Sequence, residues 1–195
     1  MNFPDFLKFM TKKVYLIRHA QSEANIAADL DNPKYYYDAP ITKLGEKQAL
    51  NTKKLLDKIN FDLTVCSPLT RTLQTFMIIF PNPNLKTIVL PLVREHLDHS
   101  CDVGRQPKVL KKEFPSFDFS KINDFWWNND VKIDEKKINY ESINDLDKRV
   151  KKFQNWINSR KEKNIAVVSH GTFISRIIYF FLNNCEFEIW YPENE

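Results

Sequence analysis

Glycine is scarce in this chain, with three in 195 residues: Gly45, Gly104 and Gly171. Neither a dinucleotide fingerprint nor a P-loop can be built from them, because each needs clustered glycines in one strand–turn–helix unit. Cysteine is equally sparse. Cys66, Cys101 and Cys185 are an odd number without framework spacing, which points to a reducing compartment and a cytoplasmic location rather than a disulfide scaffold. No run reaches the ~20 apolar residues of a membrane span, so no membrane partner is expected. Excess charge is lacking too: 29 basic residues face 25 acidic ones, a net charge of +4. Lys47, Lys53, Lys54 and Lys58 lie along a helix-like stretch and read as a solvated face, so no nucleic-acid partner is expected. The segment Phe3-Pro4-Asp5-Phe6-Leu7-Lys8-Phe9-Met10 is too short and too charged for a signal peptide; residues 1–12 read as an N-terminal extension.

What remains is ordinary for a soluble globular protein: 43% hydrophobic residues and mixed charge, in a length that suits one domain over residues 1–195. The apolar pattern alternates strand and helix. Strands are expected at 13–18, 61–66, 85–90 and 164–169. Helices are expected at 22–30, 42–58 (with Leu55, Leu56 and Ile59 on one face), 68–80, 141–160 and 172–183. A loop covers 31–41, and 187–191 adds an edge strand. Ser67-Pro68 reads as an N-cap followed by proline at the first helical position, and Ser142 with Asp145 has capping-box spacing. Leu146, Val150, Phe153 and Ile157 follow the helical period. Such alternation implies an α/β fold, a mostly parallel sheet with helices on both faces. Residues 97–139 break the pattern. They carry Trp126-Trp127 and Phe114-Pro115-Ser116-Phe117-Asp118-Phe119, and read either as an insertion over the strand ends or as a surface excursion with its own small core. Tyr35-Tyr36-Tyr37 and the two tryptophans suit an apolar entrance, a core or an interface alike.

Two of the expected strands end at histidines: Leu16-Ile17-Arg18-His19 and Val167-Val168-Ser169-His170-Gly171. Open α/β sheets place their chemistry beyond the carboxyl ends of the strands, so two imidazoles there can share a pocket. Phosphoryl transfer needs fixed positive charge, preorganised donors and an in-line nucleophile. Arg18 adjoins His19, and Arg71 falls in the first turn after Ser67-Pro68, where the helix N-terminus also favours an anion. Asn25 can offer its amide, and Gly171 its N–H. Neighbouring guanidinium groups favour the neutral imidazole that His19 needs in order to attack. Glu95, beyond the third strand, can serve the leaving oxygen as acid and then water as base.

Taken singly, each residue has a structural reading: a histidine at a strand end, a surface carboxylate, a local asparagine cap. The combination is what points to chemistry. Two rival sites fail on spacing. Cys66 to Arg71 has four intervening residues, one short of a cysteine-phosphatase loop. Glu95, His96, Asp98, His99, Cys101 and Asp102 match no closed zinc site, so no metal is expected.

The segments Leu16 to Asn25, Ile41-Thr42-Lys43-Leu44-Gly45-Glu46, Cys66-Ser67-Pro68-Leu69-Thr70-Arg71, Arg94-Glu95, Glu141-Ser142 leading to Arg149, and Val168-Ser169-His170-Gly171, in this order, resemble the histidine phosphatase superfamily, also called phosphoglycerate mutase-like. The resemblance implies a three-layer α/β/α fold with a mostly parallel central sheet. It also implies His19 as phosphorylated nucleophile, Arg18, Arg71 and His170 as the phosphate pocket, Asn25 and Ser22 assisting, Glu95 as proton donor, and no metal or organic cofactor. Two departures stand out. Ala20 replaces the family's usual glycine, and His96-Leu97-Asp98-His99 replaces the tyrosine-glycine pair and basic run of the mutases. With the short insertion, the second departure favours a hydrolase. Ser100 to Arg105 followed by Glu113-Phe114-Pro115 is similar to a phosphatase-type branch; Arg105 and Lys108 are candidate substrate-rim contacts there, with solvated loop charges the favoured reading of the two. The expectation is a metal-independent phosphomonoester hydrolase acting on a small phosphorylated substrate. A mutase-type transferase and a non-catalytic phospho-ligand or protein-binding module are the alternatives. A homodimer is compatible with the sequence but not indicated by it.

Overall fold

The computed structural model describes residues 11–27, 37–128 and 139–192. Its apolar runs form β1 (Lys13–Arg18), β2 (Leu63–Cys66), β3 (Thr87–Val89) and β4 (Asn164–Ser169), all parallel, with β5 (Phe187–Trp190) antiparallel along β1. The order is β3-β2-β4-β1-β5. Because strand side chains alternate between faces, Val14, Leu16, Leu63, Val65, Ile165 and Val167 join one core, and Tyr15, Ile17, Cys66, Ala166 and Val168 join the other. The second core lies under α1 (Lys43–Leu56) and α2 (Thr70–Ile79) and also takes in Leu110 of α3 (Pro107–Glu113). The first lies under α4 (Ile143–Asn158) and α5 (Gly171–Ile178), which contribute Leu146, Val150, Phe153, Ile157, Phe173, Ile174 and Ile177. The result is a three-layer α/β/α arrangement around a mostly parallel sheet.

The central strands set up the site by register. β1 and β4 pair from Lys13↔Asn164 to Arg18↔Ser169, so the next residue of each strand, His19 and His170, emerge side by side.

Several boundaries differ from the sequence pattern. The helix expected at 22–30 is a short 3-10 turn, Glu23–Ile26; residues 28–36, including Tyr35 and Tyr36, lie outside the described residues. On α1, Leu56 is buried but Leu55 is 68% exposed, and Ile59, past the end of the helix, packs against the core. α5 stops at Ile178 rather than 183, because Tyr179 takes a left-handed conformation (φ 66°) and turns the chain back. That turn brings the Leu182 carbonyl to Arg18. Trp126 and Trp127 are buried, with Phe114, Phe117 and Phe119, in the α1/α2-side core, and line no entrance. Residues 1–10 and 129–138 lie outside the described residues, and no helix among those described is long and apolar enough to cross a membrane.

The start of α2 is the most informative correction. Ser67 is not its N-cap. The helix begins at Thr70, and the capping group comes from far away in sequence: buried Asp38 accepts from Thr70 N (2.7 Å) and Thr70 Oγ1 (2.5 Å). Burial pushes the Asp38 carboxyl up from its ordinary range, and its Thr70 and Arg105 partners pull it back. Asp38→Ala removes a cap and strips Arg105 of a buried counterion. The expected cost is about 2–3 kcal/mol, read as a lower urea midpoint with unchanged m-value.

Candidate active site

β1, β2 and β4 end together, and the loops beyond them enclose a cavity of about 290 Å³. Arg18, His19, Ser22, Asn25, Arg71, Glu95, Asp98, His99, Cys101, Asp102 and Thr172 are among its lining residues. His19 is buried beneath it, and its ring centroid is 5.1 Å from that of His170. His19 Nδ1 lies 2.7 Å from the Ala20 carbonyl. A carbonyl only accepts, so Nδ1 carries the proton and Nε2 keeps its lone pair. Burial above all, then Arg71 and Arg18, hold this imidazole well below its ordinary range, with the Ala20 bond pulling the other way. His170 is likewise held well below that range, by burial and then by Arg71 and His19. Both rings are therefore neutral near pH 7.

His170 Nε2 lies 2.8 Å from Ser67 Oγ. That contact explains why Ser67 does not cap α2: its hydroxyl belongs to the histidine. His170 Nδ1 and Arg18 Nε are buried with no hydrogen-bond partner among the described residues. Buried polar atoms are rarely left so, and a ligand that brings acceptor oxygens would satisfy both. Gly171 lacks a side chain for a related reason: a Cβ there would meet the Arg18 guanidinium at 3.2 Å from Nε and 3.3 Å from Cζ.

Arg71 sits in the first turn of α2, as its spacing suggested, but the anion at that helix end is Asp38. Arg71 instead donates to Cys101 O (2.7 Å) and to Asp102 Oδ1 (2.9 Å), a pair with both side chains 4% exposed. Burial pushes Asp102 up from the ordinary carboxylate range while Arg71 draws it down. The N-terminus of α5 is filled in the same way, since Glu95 accepts from Thr172 N (3.2 Å) and Phe173 N (3.1 Å). Protein carboxylates thus occupy both helix ends, and among the described lining residues the arginine and lysine side chains are Arg18 and Arg71.

Asn25 Oδ1 accepts from Ser22 N (3.0 Å), Ser22 Oγ (3.2 Å) and Asn184 Nδ2 (3.2 Å). This fixes the amide and leaves its nitrogen out of these bonds. Arg105 and Lys108 are not brought to the cavity. Arg105 is spent on Asp38 (2.8 Å), Glu113 (2.6 Å) and Thr70, and Lys108 is exposed on α3. The cysteine alternative also fails chemically. Cys66 is buried, donates to Ser67 O, and is pushed well above the ordinary thiol range by that burial, so it offers no thiolate.

Sequence reasoning did not single out Ser67, Asp102 or Asn184 as parts of the site. The sequence pattern makes Ser67 a helix cap, and Asp102 enters it only as one member of a zinc-ligand set that fails on spacing. Asn184, which donates to His19 O (3.0 Å), lies just past the helix expected at 172–183 and before the edge strand expected at 187–191.

Comparison with known proteins shows the family. The profile of the histidine phosphatase superfamily (branch 1) matches residues 14–192. A phosphoglycerate mutase-like protein 1 of Arabidopsis thaliana is 33% identical, over 89% of this chain and 73% of that protein. An adenosylcobalamin/alpha-ribazole phosphatase of Escherichia coli is 25% identical, over 85% of this chain and 77% of its own length. Among solved structures, the alpha-ribazole phosphatase of Shigella flexneri superposes with a TM-score of 0.61 at 26% identity, covering 91% of this chain and 89% of that one. With a profile match spanning nearly all of its described residues, the chain belongs to the histidine phosphatase superfamily.

Proposed function

We propose that this chain is a phosphomonoester hydrolase working through a phosphohistidine on His19. The observation that carries the reading is the pinned, neutral His19, its Nε2 unprotonated and its ring centroid 5.1 Å from that of His170. Three phosphoryl oxygens are then held by Arg18, Arg71, His170 and the Asn25 amide. Nε2 forms the bond to phosphorus as the ester P–O bond breaks, and Glu95 gives its proton to the departing oxygen. In the second half Glu95 takes a proton from water. Water attacks phosphorus, the P–N bond breaks, and inorganic phosphate leaves.

The rim favours a hydrolase over a mutase. Among the described lining residues, Arg18 and Arg71 are the only arginines or lysines, while Glu95, Asp98 and Asp102 are carboxylates. No further lysine or arginine among them is left to pair with the carboxylate of a phosphoglycerate, and like charges disfavour it. The substrate that fits is a small phosphomonoester without a second acidic group.

The test is hydrolysis of 4-nitrophenyl phosphate in the presence of a chelator, with 3-phosphoglycerate as comparator. Turnover that survives chelation and exceeds that on 3-phosphoglycerate is expected; mutase activity, or strict dependence on an added metal, would overturn the reading. The pH profile has a definite sign. The neutral form of His19 attacks, and its pKa is held well below 6.5. So kcat/KM, corrected for the substrate's second ionisation near pH 6, stays level as pH falls through about 6.5. A loss of kcat/KM as pH falls through that value would contradict a neutral resting His19.

A further inference from the structure

Behind the cavity lies a buried cluster that the proposed chemistry does not use. Glu141, on the loop before α4, is fully buried and accepts from three directions: Arg149 Nε (2.8 Å), Arg149 Nη2 (2.5 Å) and Arg94 Nη2 (3.2 Å). Burying one carboxylate with two guanidinium groups costs more in desolvation than an apolar packing would, so stability alone does not account for it.

The remaining donors of Arg149 show what the cluster holds. Nη1 donates to Leu92 O (3.0 Å) and Arg94 O (2.8 Å), and Nη2 to Glu95 O (3.1 Å). One guanidinium thus grips the carbonyls of the segment that carries Glu95. Its Cζ also lies over the Phe173 ring, 5.2 Å from the centroid, and Phe173 N is one of the donors to the Glu95 carboxylate. Arg149 therefore touches both supports of Glu95, its own backbone and the first turn of α5. Glu141 keys Arg149 by a two-point pair, and Arg94 ties the cluster to Trp127 O (3.0 Å). The planar fork is what lets one side chain do this; a lysine carries the charge but not the geometry.

We propose that Arg149, keyed by Glu141, is the positioning residue for Glu95, setting the carboxyl where it meets the leaving oxygen. The inference rests on the reading of Glu95 as proton donor, and the experiment separates the two. A proton donor matters when the leaving group is poor and matters little when it is good. Phenyl phosphate and 4-nitrophenyl phosphate differ in this respect while presenting the same phosphoryl group. Their kcat/KM ratio, measured in one protein sample, does not depend on the fraction of that sample that is folded.

In Arg149→Lys and in Glu141→Gln, kcat/KM for phenyl phosphate is expected to fall about tenfold or more, and that for 4-nitrophenyl phosphate by less than about threefold. Glu95→Gln should show the same selectivity more strongly. Glu95→Gln/Arg149→Lys should be no more selective than Glu95→Gln alone, because two groups acting through one are not additive. A selective Glu95→Gln beside unselective Arg149→Lys and Glu141→Gln, or a double variant whose loss is the product of the singles, overturns the inference alone. An unselective Glu95→Gln overturns the reading of Glu95 and the inference with it.

Discussion

His19→Ala is expected to lower kcat/KM for 4-nitrophenyl phosphate at least about 10⁴-fold, equivalent to about 5.5 kcal/mol of transition-state stabilisation. The alanine variant keeps Arg18, Arg71 and His170, so it should still bind phosphate while losing the atom that attacks it. His19→Asn makes the sharper control. Its amide can keep a bond to the Ala20 carbonyl in place of Nδ1, yet it offers nothing at the position of Nε2. The two variants should be equally inactive, with the asparagine protein nearer to wild type in thermal stability. Substantial activity in either would remove His19 from the reaction.

Arg71→Ala is the second large effect, a loss of about 10²- to 10³-fold in kcat/KM, as expected for removing a fixed charge from a transferring phosphoryl group. Arg71→Lys should recover little, because the planar fork is lost. The alanine variant also leaves Asp102 buried opposite no cation, and so should melt lower. Adding Asp102→Asn should restore much of the stability and none of the activity. That separation would show that the Arg71–Asp102 pair holds the guanidinium in place and that Arg71 itself serves the substrate. Simultaneous recovery of both would mean that Arg71 acts only through the fold.

The strands and the packing face of α4 were legible because their apolar periodicity is strong. β1 and β4 run over the residues the pattern predicts, Lys13–Arg18 and Asn164–Ser169, and Leu146, Val150, Phe153 and Ile157 are all buried. The Ser142 cap was local and so readable. The cap of α2 was not, because Asp38 reaches it across the fold and leaves Ser67 for His170. The end of α5 was misjudged for a related reason. Tyr179, Phe180, Phe181 and Leu182 continue the apolar run of α5 without a break, yet Tyr179 turns left-handed and sends the chain back toward Arg18 and His19. Within the site, the motifs gave His19, Arg18, Arg71, Ser22, Asn25 and Glu95 of the cavity lining but not the side chains that hold them. Arg105 looked like a rim cation by position, whereas its guanidinium is taken up by Asp38, Glu113 and Thr70. Side-chain partners distant in sequence leave no periodic trace, and Asp102, Asn184 and Asp38 are all of that kind.

The most direct test is to stop wild type and Glu95→Gln during turnover of 4-nitrophenyl phosphate with an alkaline denaturant, then locate any phosphoryl group by peptide mass spectrometry. The account predicts one phosphoryl group on His19, more abundant in Glu95→Gln, where water lacks its base. Turnover with no phosphorylated peptide in either protein, or a phosphoryl group on any other residue, would contradict it.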